Sequence, residues 1–325
     1  MPLISHHREV DAVVSLCRAS VVALLILSCG GALRAAETPP KPDSQRAFGY
    51  LKKVCAIGPR ISGTEGMQRQ RELLQDHFAD HGAEVGLQEF DVSHPETGAP
   101  VRMANLIVSW HPETTQRVLL CCHYDTRPYP DRDPLPANRT KPFIGANDGA
   151  SGVALFMELA HHLPKIEPTY GVDFEFFDGE ELVYDNSRDK YFLGSEHFAT
   201  EYRDDPPDHT YVCGVLVDMV ADRDFRVFYE KNSLRYAPEV TKSVWRTAAR
   251  LRVRSFVARR KHEVRDDHLP LNQIAKIPTT DIIDFDFPYW HTRNDIPAAC
   301  SPKPLGDVAR VLLTWLTEVP AAKDL

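Results

Sequence analysis

Val172-Asp173-Phe174-Glu175-Phe176-Phe177-Asp178-Gly179-Glu180-Glu181 is the stretch on which the reading of this chain turns. A short aromatic and β-branched run of strand type stops at a glycine and delivers two adjacent carboxylates. Neighbouring carboxylates at a strand end point in different directions. One can ligate a metal while the other moves protons. Carboxylate pairs are also common on solvated helices, so the rest of the sequence has to decide.

Working outward, helical spacing is predicted over 44–55 and 64–81, with Gly82 placed to end the second helix. Strand-like runs follow at 84–92, 104–110 and 117–123. A helix over 151–163 has Ser151 as its expected cap and Val153, Phe156, Met157, Ala160 and Leu163 as an apolar stripe. Further strands are expected at 172–177, 212–217 and 279–283, and helices at 238–250 and 305–316. Alternating strands and helices imply an α/β layered domain on a largely parallel sheet, in which ligands sit outside the carboxyl ends of the strands. His123, Asp148, Glu181, Asp218 and His291 all fall at such ends, and all are side chains that a borderline cation such as zinc accepts. Each alone is ordinarily a cap, a turn residue or a hydrogen-bonded side chain; five at one edge form a pattern.

The chain has 325 residues, 43% hydrophobic and 26% charged, with a formal charge of -8 spread along its length. That distribution argues against nucleic acid as a partner. The basic run Arg259-Arg260-Lys261 reads as a solvated face. Residues 1–36 read as a signal peptide: Arg8 and Arg18 precede an apolar run from Val21 to Leu27, and small residues ending in Ala35-Ala36 follow. Removing its three Arg and two acidic residues moves the formal charge to -9. The run is too short to span a bilayer, so no transmembrane span is expected in the mature chain. Ile26-Leu27-Ser28-Cys29 resembles a bacterial lipoprotein cleavage site, which would make Cys29 a lipid anchor. The protein is accordingly expected to be exported, periplasmic or extracellular, with a membrane-tethered lipoprotein as the alternative. Residues 37–44 read as a disordered lead-in and 45–325 as a single catalytic domain. Beyond the leader, Cys55, Cys121, Cys122, Cys213 and Cys300 show neither a disulfide framework nor a cysteine metal spacing. His161-His162 on the predicted helix reads as solvent-facing and is given no role.

His123-Tyr124-Asp125, the run Gly145 to Val153, Phe177-Asp178-Gly179-Glu180-Glu181, Gly194-Ser195-Glu196-His197 and Trp290-His291-Thr292 together resemble the zinc-dependent M28 peptidase superfamily over nearly all of residues 45–318. Asp266-Asp267-His268-Leu269-Pro270 and Phe287 to Thr292 are more similar to its glutaminyl-peptide cyclotransferase branch than to its aminopeptidases. The resemblance implies a three-layer α/β sandwich with a mixed, largely parallel central sheet. It also implies zinc held by Asp148, Glu181 and His291, Glu180 as proton shuttle, and Asp218 with Asp266 as an acidic pair around the substrate amine and leaving group. Trp290 is expected in the substrate pocket, and His123 in the pocket or a second metal shell. Cyclotransferases of this kind use one zinc to turn an N-terminal Gln of a peptide or protein into pyroglutamate with loss of ammonia. The aminopeptidases use two, with His123 and Asp218 on the second ion. Three departures stand against the cyclotransferase pattern: Arg265 where a neutral amide is usual, Asn186 where an aromatic lines the pocket, and an Asn147 to Gly152 wording closer to the aminopeptidases. A third reading, a binding module with a dead site on a reused fold, is opposed by the intact set Asp148, Glu180, Glu181 and His291.

Overall fold

The computed structural model of the protein describes residues 41–324. The leader at 1–36 with Cys29, and residues 37–40 of the lead-in, lie outside the described residues. The end of the lead-in is fixed: the Asp43 carboxylate accepts the backbone N–H groups of Gln45 and Arg46 and so caps α1 (Ser44–Cys55). The Asp43 N–H itself donates to Glu158 Oε1 at 2.8 Å. Helix α2 (Glu65–Asp80) starts on the Thr64 cap, and Gly82 beyond it adopts a φ of 86°.

Strands β1 (Glu84–Ser93), β2 (Pro100–Trp110) and β3 (Gln116–His123) precede α3 (Ala150–Leu159), β4 (Gly171–Phe177), α4 (Leu193–Asp204) and β5 (Thr210–Asp218). Then come β6 (Val227–Tyr229), α5 (Lys231–Tyr236), α6 (Pro238–Arg250), β7 (Phe256–Arg260), the single turn α7 (His268–Pro270), β8 (Thr279–Ile283) and α8 (Pro302–Leu316). The main sheet has the order β1-β2-β4-β3-β5-β8. Strands β4, β3, β5 and β8 run parallel, and β1 and β2 add an antiparallel edge. Strands β6 and β7 pair separately. Among the described residues no helix is long and apolar enough to cross a membrane.

Period-two alternation builds the layers. On β3, Val118, Leu120 and Cys122 face a large core shared with α1, α2, α3, α6 and α8, whereas Leu119 and Cys121 face a smaller one with Phe198 of α4, Leu271 and Ile277. Helices therefore cover both faces, which is why the central strands are apolar on both sides. The five cysteines Cys55, Cys121, Cys122, Cys213 and Cys300 are free and buried, as small hydrophobes.

Helix α3 departs from the sequence reading in two ways. Every one of its residues is buried, not a stripe alone, because α1 covers the side away from the sheet. Its cap is Gly149, not Ser151: φ there is 91°, and a Cβ would lie 2.5 Å from the Asp125 carbonyl oxygen. Ser151 Oγ instead donates to the Asn147 carbonyl and accepts the Val220 N–H at 3.0 Å, stitching the turn before α3 to the end of β5.

Candidate metal centre

The carboxyl ends of β4, β5 and β8 open on a cavity of about 390 Å³, and the end of β3 reaches the carboxylates that line it. His123 is the last residue of β3 and Asp218 of β5, Glu180 and Glu181 lie in the turn after β4, and Asp148 lies in the turn before α3. His291 follows β8 with a φ of 55°. A non-glycine residue in that region carries strain of about 1–3 kcal/mol and persists where the surroundings over-determine it, typically at functional sites.

Two buried carboxylates, Asp125 inside the His123 motif and Asp295 outside any motif, hold the backbone of the site residues. Asp125 accepts the N–H of Glu180 at 3.1 Å and that of Glu181 at 2.9 Å, so one side chain fixes both members of the pair. Asp295 does the same for Asn147 at 2.7 Å and Asp148 at 3.1 Å. The side chains are thereby aimed rather than free. His291 Nε2 lies 2.7 Å from Glu181 Oε1 and 3.6 Å from Asp148 Oδ2. On the other side, His123 Nε2 is 3.3 Å from both Asp148 Oδ1 and Asp218 Oδ1. One ligand-type atom each of His123, Asp148 and Glu181 falls within 4.8 Å of the others. Asp148 and Glu181 belong to either grouping; His291 lines the cavity, and His123 is not among its lining residues.

This donor set fits a cation. Asp148 Oδ2 is buried without a hydrogen-bond donor. Such an oxygen is costly unless an ion or a proton meets it. Two carboxylates and an imidazole suit zinc, which keeps a further position open in catalytic sites. His291 Nδ1 stands 3.2 Å from Asp131 Oδ1, the carboxylate–imidazole arrangement that orients metal-bound histidines. Arg127, fully buried, ties the shell together: its N–H donates to Glu181 Oε2 at 3.2 Å and its Nε to Asp131 Oδ1 at 2.7 Å. Asp125 is part of the quoted motif His123-Tyr124-Asp125 but has no role assigned from the sequence, and Asp131, Asp295 and Arg127 stand outside every quoted motif.

The electrostatics follow from this crowding. Burial pushes the Glu180 carboxyl well above its usual range, with His123 pulling it back. Burial raises Asp266 strongly, and Asp218 adds to the rise. Burial acts against charge on His123 and His291, but the surrounding carboxylates outweigh it: Asp125, Asp148 and Asp218 raise His123 well above its usual value, and Glu181 leads the groups that lift His291 to about 9.

Glu180, Asp218, Asp266 and Trp290 all line the cavity beside Asp148, Glu181 and His291. Asp267 donates its N–H to Asp266 Oδ1 at 2.6 Å and is itself held by Ser195 Oγ at 2.5 Å. That bond gives the Gly194 to His197 motif its place. Asn186 does line the cavity, but it is spent on Arg127 and Asp131. Tyr191, which donates to Asn186 at 2.6 Å, supplies an aromatic wall from five residues further on. Trp290 carries the Arg132 guanidinium 3.9 Å from its ring centroid, and Arg265 also faces the cavity.

The comparisons agree with this geometry. Residues 105–316 match the description Peptidase family M28. The chain is similar to the solved structure of Fimbriiglobus ruber glutaminyl cyclase, with 43% identity and a TM-score of 0.82 over 86% of this chain and 99% of that one. It is also similar to a Zn-dependent exopeptidase from Parabacteroides distasonis, with 31% identity and a TM-score of 0.81 over 86% and 100%. The Glutaminyl-peptide cyclotransferase-like protein of Mus musculus is 25% identical over 85% of this chain and 76% of its own length. On fold, strand-end residues and these relatives together, the chain belongs to peptidase family M28, in its glutaminyl-peptide cyclotransferase-like branch.

Proposed function

We propose that the protein is a zinc-dependent glutaminyl-peptide cyclotransferase, which converts the N-terminal Gln of peptides to pyroglutamate and releases ammonia. The observation that carries the reading is one cavity lined at once by Asp148, Glu181 and His291, by Glu180, and by the acidic residues Asp218 and Asp266. The 43% identity to a glutaminyl cyclase supports it. Asp148, Glu181 and His291 hold the ion, one per chain, with Asp131 orienting His291. Bound there, zinc supplies Lewis acidity toward the oxygen of the substrate's side-chain amide.

The chain's own residues do the rest. Glu180 takes a proton from the substrate α-amine as that nitrogen bonds to the γ-carbonyl carbon, and returns it to the departing amide nitrogen, so ammonia leaves and no water is consumed. Asp218 and Asp266 accept hydrogen bonds from the amine and the leaving group; Asp266 Oδ2, buried without a donor, is free to do so. Asp267 keeps Asp266 in place through its backbone N–H. Trp290, stiffened by Arg132, walls the ring-closing segment against solvent. Export of the protein, drawn from the leader at 1–36, belongs to the same reading.

One observation favours a second reading. His123 Nε2 stands 3.3 Å from an oxygen of both Asp148 and Asp218, the donor set that a second ion of an exopeptidase would use. Matched peptides beginning with Gln or Leu, incubated with the purified enzyme and read by mass, separate the two. Ammonia loss from the Gln peptide with the Leu peptide intact is expected. Release of the first residue from either peptide would favour the exopeptidase.

A further inference from the structure

A second group of ligand-type side chains lies where α2 passes the far end of α3. His77 lies in the last turn of α2 and His81, four residues on, is the residue that caps its carboxyl end, so the two stand on the same side. His161 lies just beyond the last residue of α3. One ring nitrogen of each falls within 4.8 Å of the other two, and all three rings are part-buried, so the expectation that His161 simply faces solvent is corrected: the α1–α2 layer covers it.

The hydrogen bonds fix which nitrogens are available. His77 Nε2 is 2.9 Å from the Met157 carbonyl oxygen, and His81 Nδ1 is 2.7 Å from the His77 carbonyl oxygen. A carbonyl only accepts, so these two nitrogens carry the protons, and in the neutral rings His77 Nδ1 and His81 Nε2 keep their lone pairs. His81 Nε2 is 3.2 Å from His161 Nδ1, and His161 Nε2 is 2.7 Å from the Tyr50 hydroxyl, which can donate or accept. Every ring is therefore held from behind by a carbonyl or a phenol. Histidines bound to metals are oriented in this way. Burial, aided by Arg46 at His161, lowers both His77 and His161 to about 4, so both are neutral ligands at pH 7. Lys53 and Arg46 face the group from α1, and Asp80 and Glu158 face it from α2 and α3.

We propose that His77, His81 and His161 form a second metal site, taking a borderline divalent ion of the zinc or copper class through three imidazole nitrogens. Imidazole-only sets of this kind suit zinc, copper and nickel, whereas magnesium and calcium require oxygen ligands. The site is separate from the candidate catalytic centre. Asp148 precedes the first residue of α3 and His161 follows its last, so about 15 Å of helix lies between them. An ion here ties α2 to the end of α3, and through Tyr50 to α1, which makes it a fastening of the helical layer with no part in peptide chemistry.

The test uses the full chain stripped with a chelator and titrated with zinc, beside His81→Gln and His161→Gln. The wild type is expected to take up one zinc per chain more than either variant, and zinc is expected to raise its melting temperature further than theirs. Copper added to the wild type is expected to give an electron spin resonance signal with splitting from three imidazole nitrogens; that readout needs no substitution and holds even if a variant fails to fold. Equal zinc uptake by all three proteins, or a copper signal without that splitting, would overturn the site. Turnover of a Gln peptide plays no part in any arm, so failure of the catalytic reading leaves this test intact.

Discussion

The two ends of helix α3 bring histidines together in opposite company. At the amino end, His123 and His291 stand among Asp125, Asp131, Asp148, Glu181 and Asp218, and both rings are driven toward the protonated state. At the carboxyl end, His77, His81 and His161 stand among carbonyls and a phenol, and the two rings whose shifts are resolved are driven toward neutrality. The same side chain serves as a charge balance in one place and as a ready ligand in the other. The carboxylates make the difference: where they outnumber cations, a proton on imidazole stands in for missing positive charge, and an ion that arrives displaces it. The acid-rich end has the charge to do chemistry. The imidazole end has the geometry to hold an ion and little else.

Breaking the acid-rich end should have the largest effect. Glu180→Gln keeps size and loses the proton carrier, so kcat should fall by at least about 10²–10⁴-fold while the bound zinc measured by metal analysis is retained. An active variant would remove Glu180 from that role. Next in size, Asp131→Asn should weaken zinc binding about 10–100-fold in competition with a chelator, with turnover restored when zinc is supplied in excess. Turnover that stays low at saturating zinc would mean that Asp131 does more than orient His291.

The imidazole end gives the smallest effect, a slope against pH. His77 and His161 titrate near 4 in the folded chain and near 6.5 when free. Between those values the unfolded chain binds more protons, so their contribution is present above about pH 6.5 and is lost as pH falls toward 4. In chelator, the melting temperature of His161→Gln should therefore drop less over that window than that of the wild type. Glu230, lowered to about 2 in the face of burial by His268 and the N–H groups it caps, loses its contribution below about pH 4.5, and equally in variant and wild type. Parallel curves for variant and wild type would contradict the assignment.

Much of the acid-rich end was legible from residues alone, because strand-end positions follow from apolar runs of period-two geometry and because Asp148, Glu180, Glu181 and His291 sit in dense motifs. Helix α6 and strand β8 have the bounds their spacing predicts, 238–250 and 279–283. What escaped reading was whatever depends on layers meeting. Asp125 and Asp295 act through backbone N–H groups far along the chain, so the motif around Asp125 does not reveal its role and nothing local marks Asp295. Ser151 reads as a cap by type, yet the backbone bend needs glycine one step earlier, at Gly149. His161 reads as exposed because the pattern of α3 cannot tell which further helices cover it. Asn186 stands where the resemblance implies an aromatic, and the loop folds so that Tyr191 reaches the cavity wall.

The central claim, that the cavity closes a Gln residue on itself instead of admitting water, is tested most directly in water enriched in oxygen-18. A Gln-initiated peptide turned over there should yield free ammonia and a pyroglutamyl peptide carrying no label, since the attacking atom is the peptide's own nitrogen. Oxygen-18 in the carboxylate of a released amino acid, together with a shortened peptide, would contradict the account and make the protein an exopeptidase.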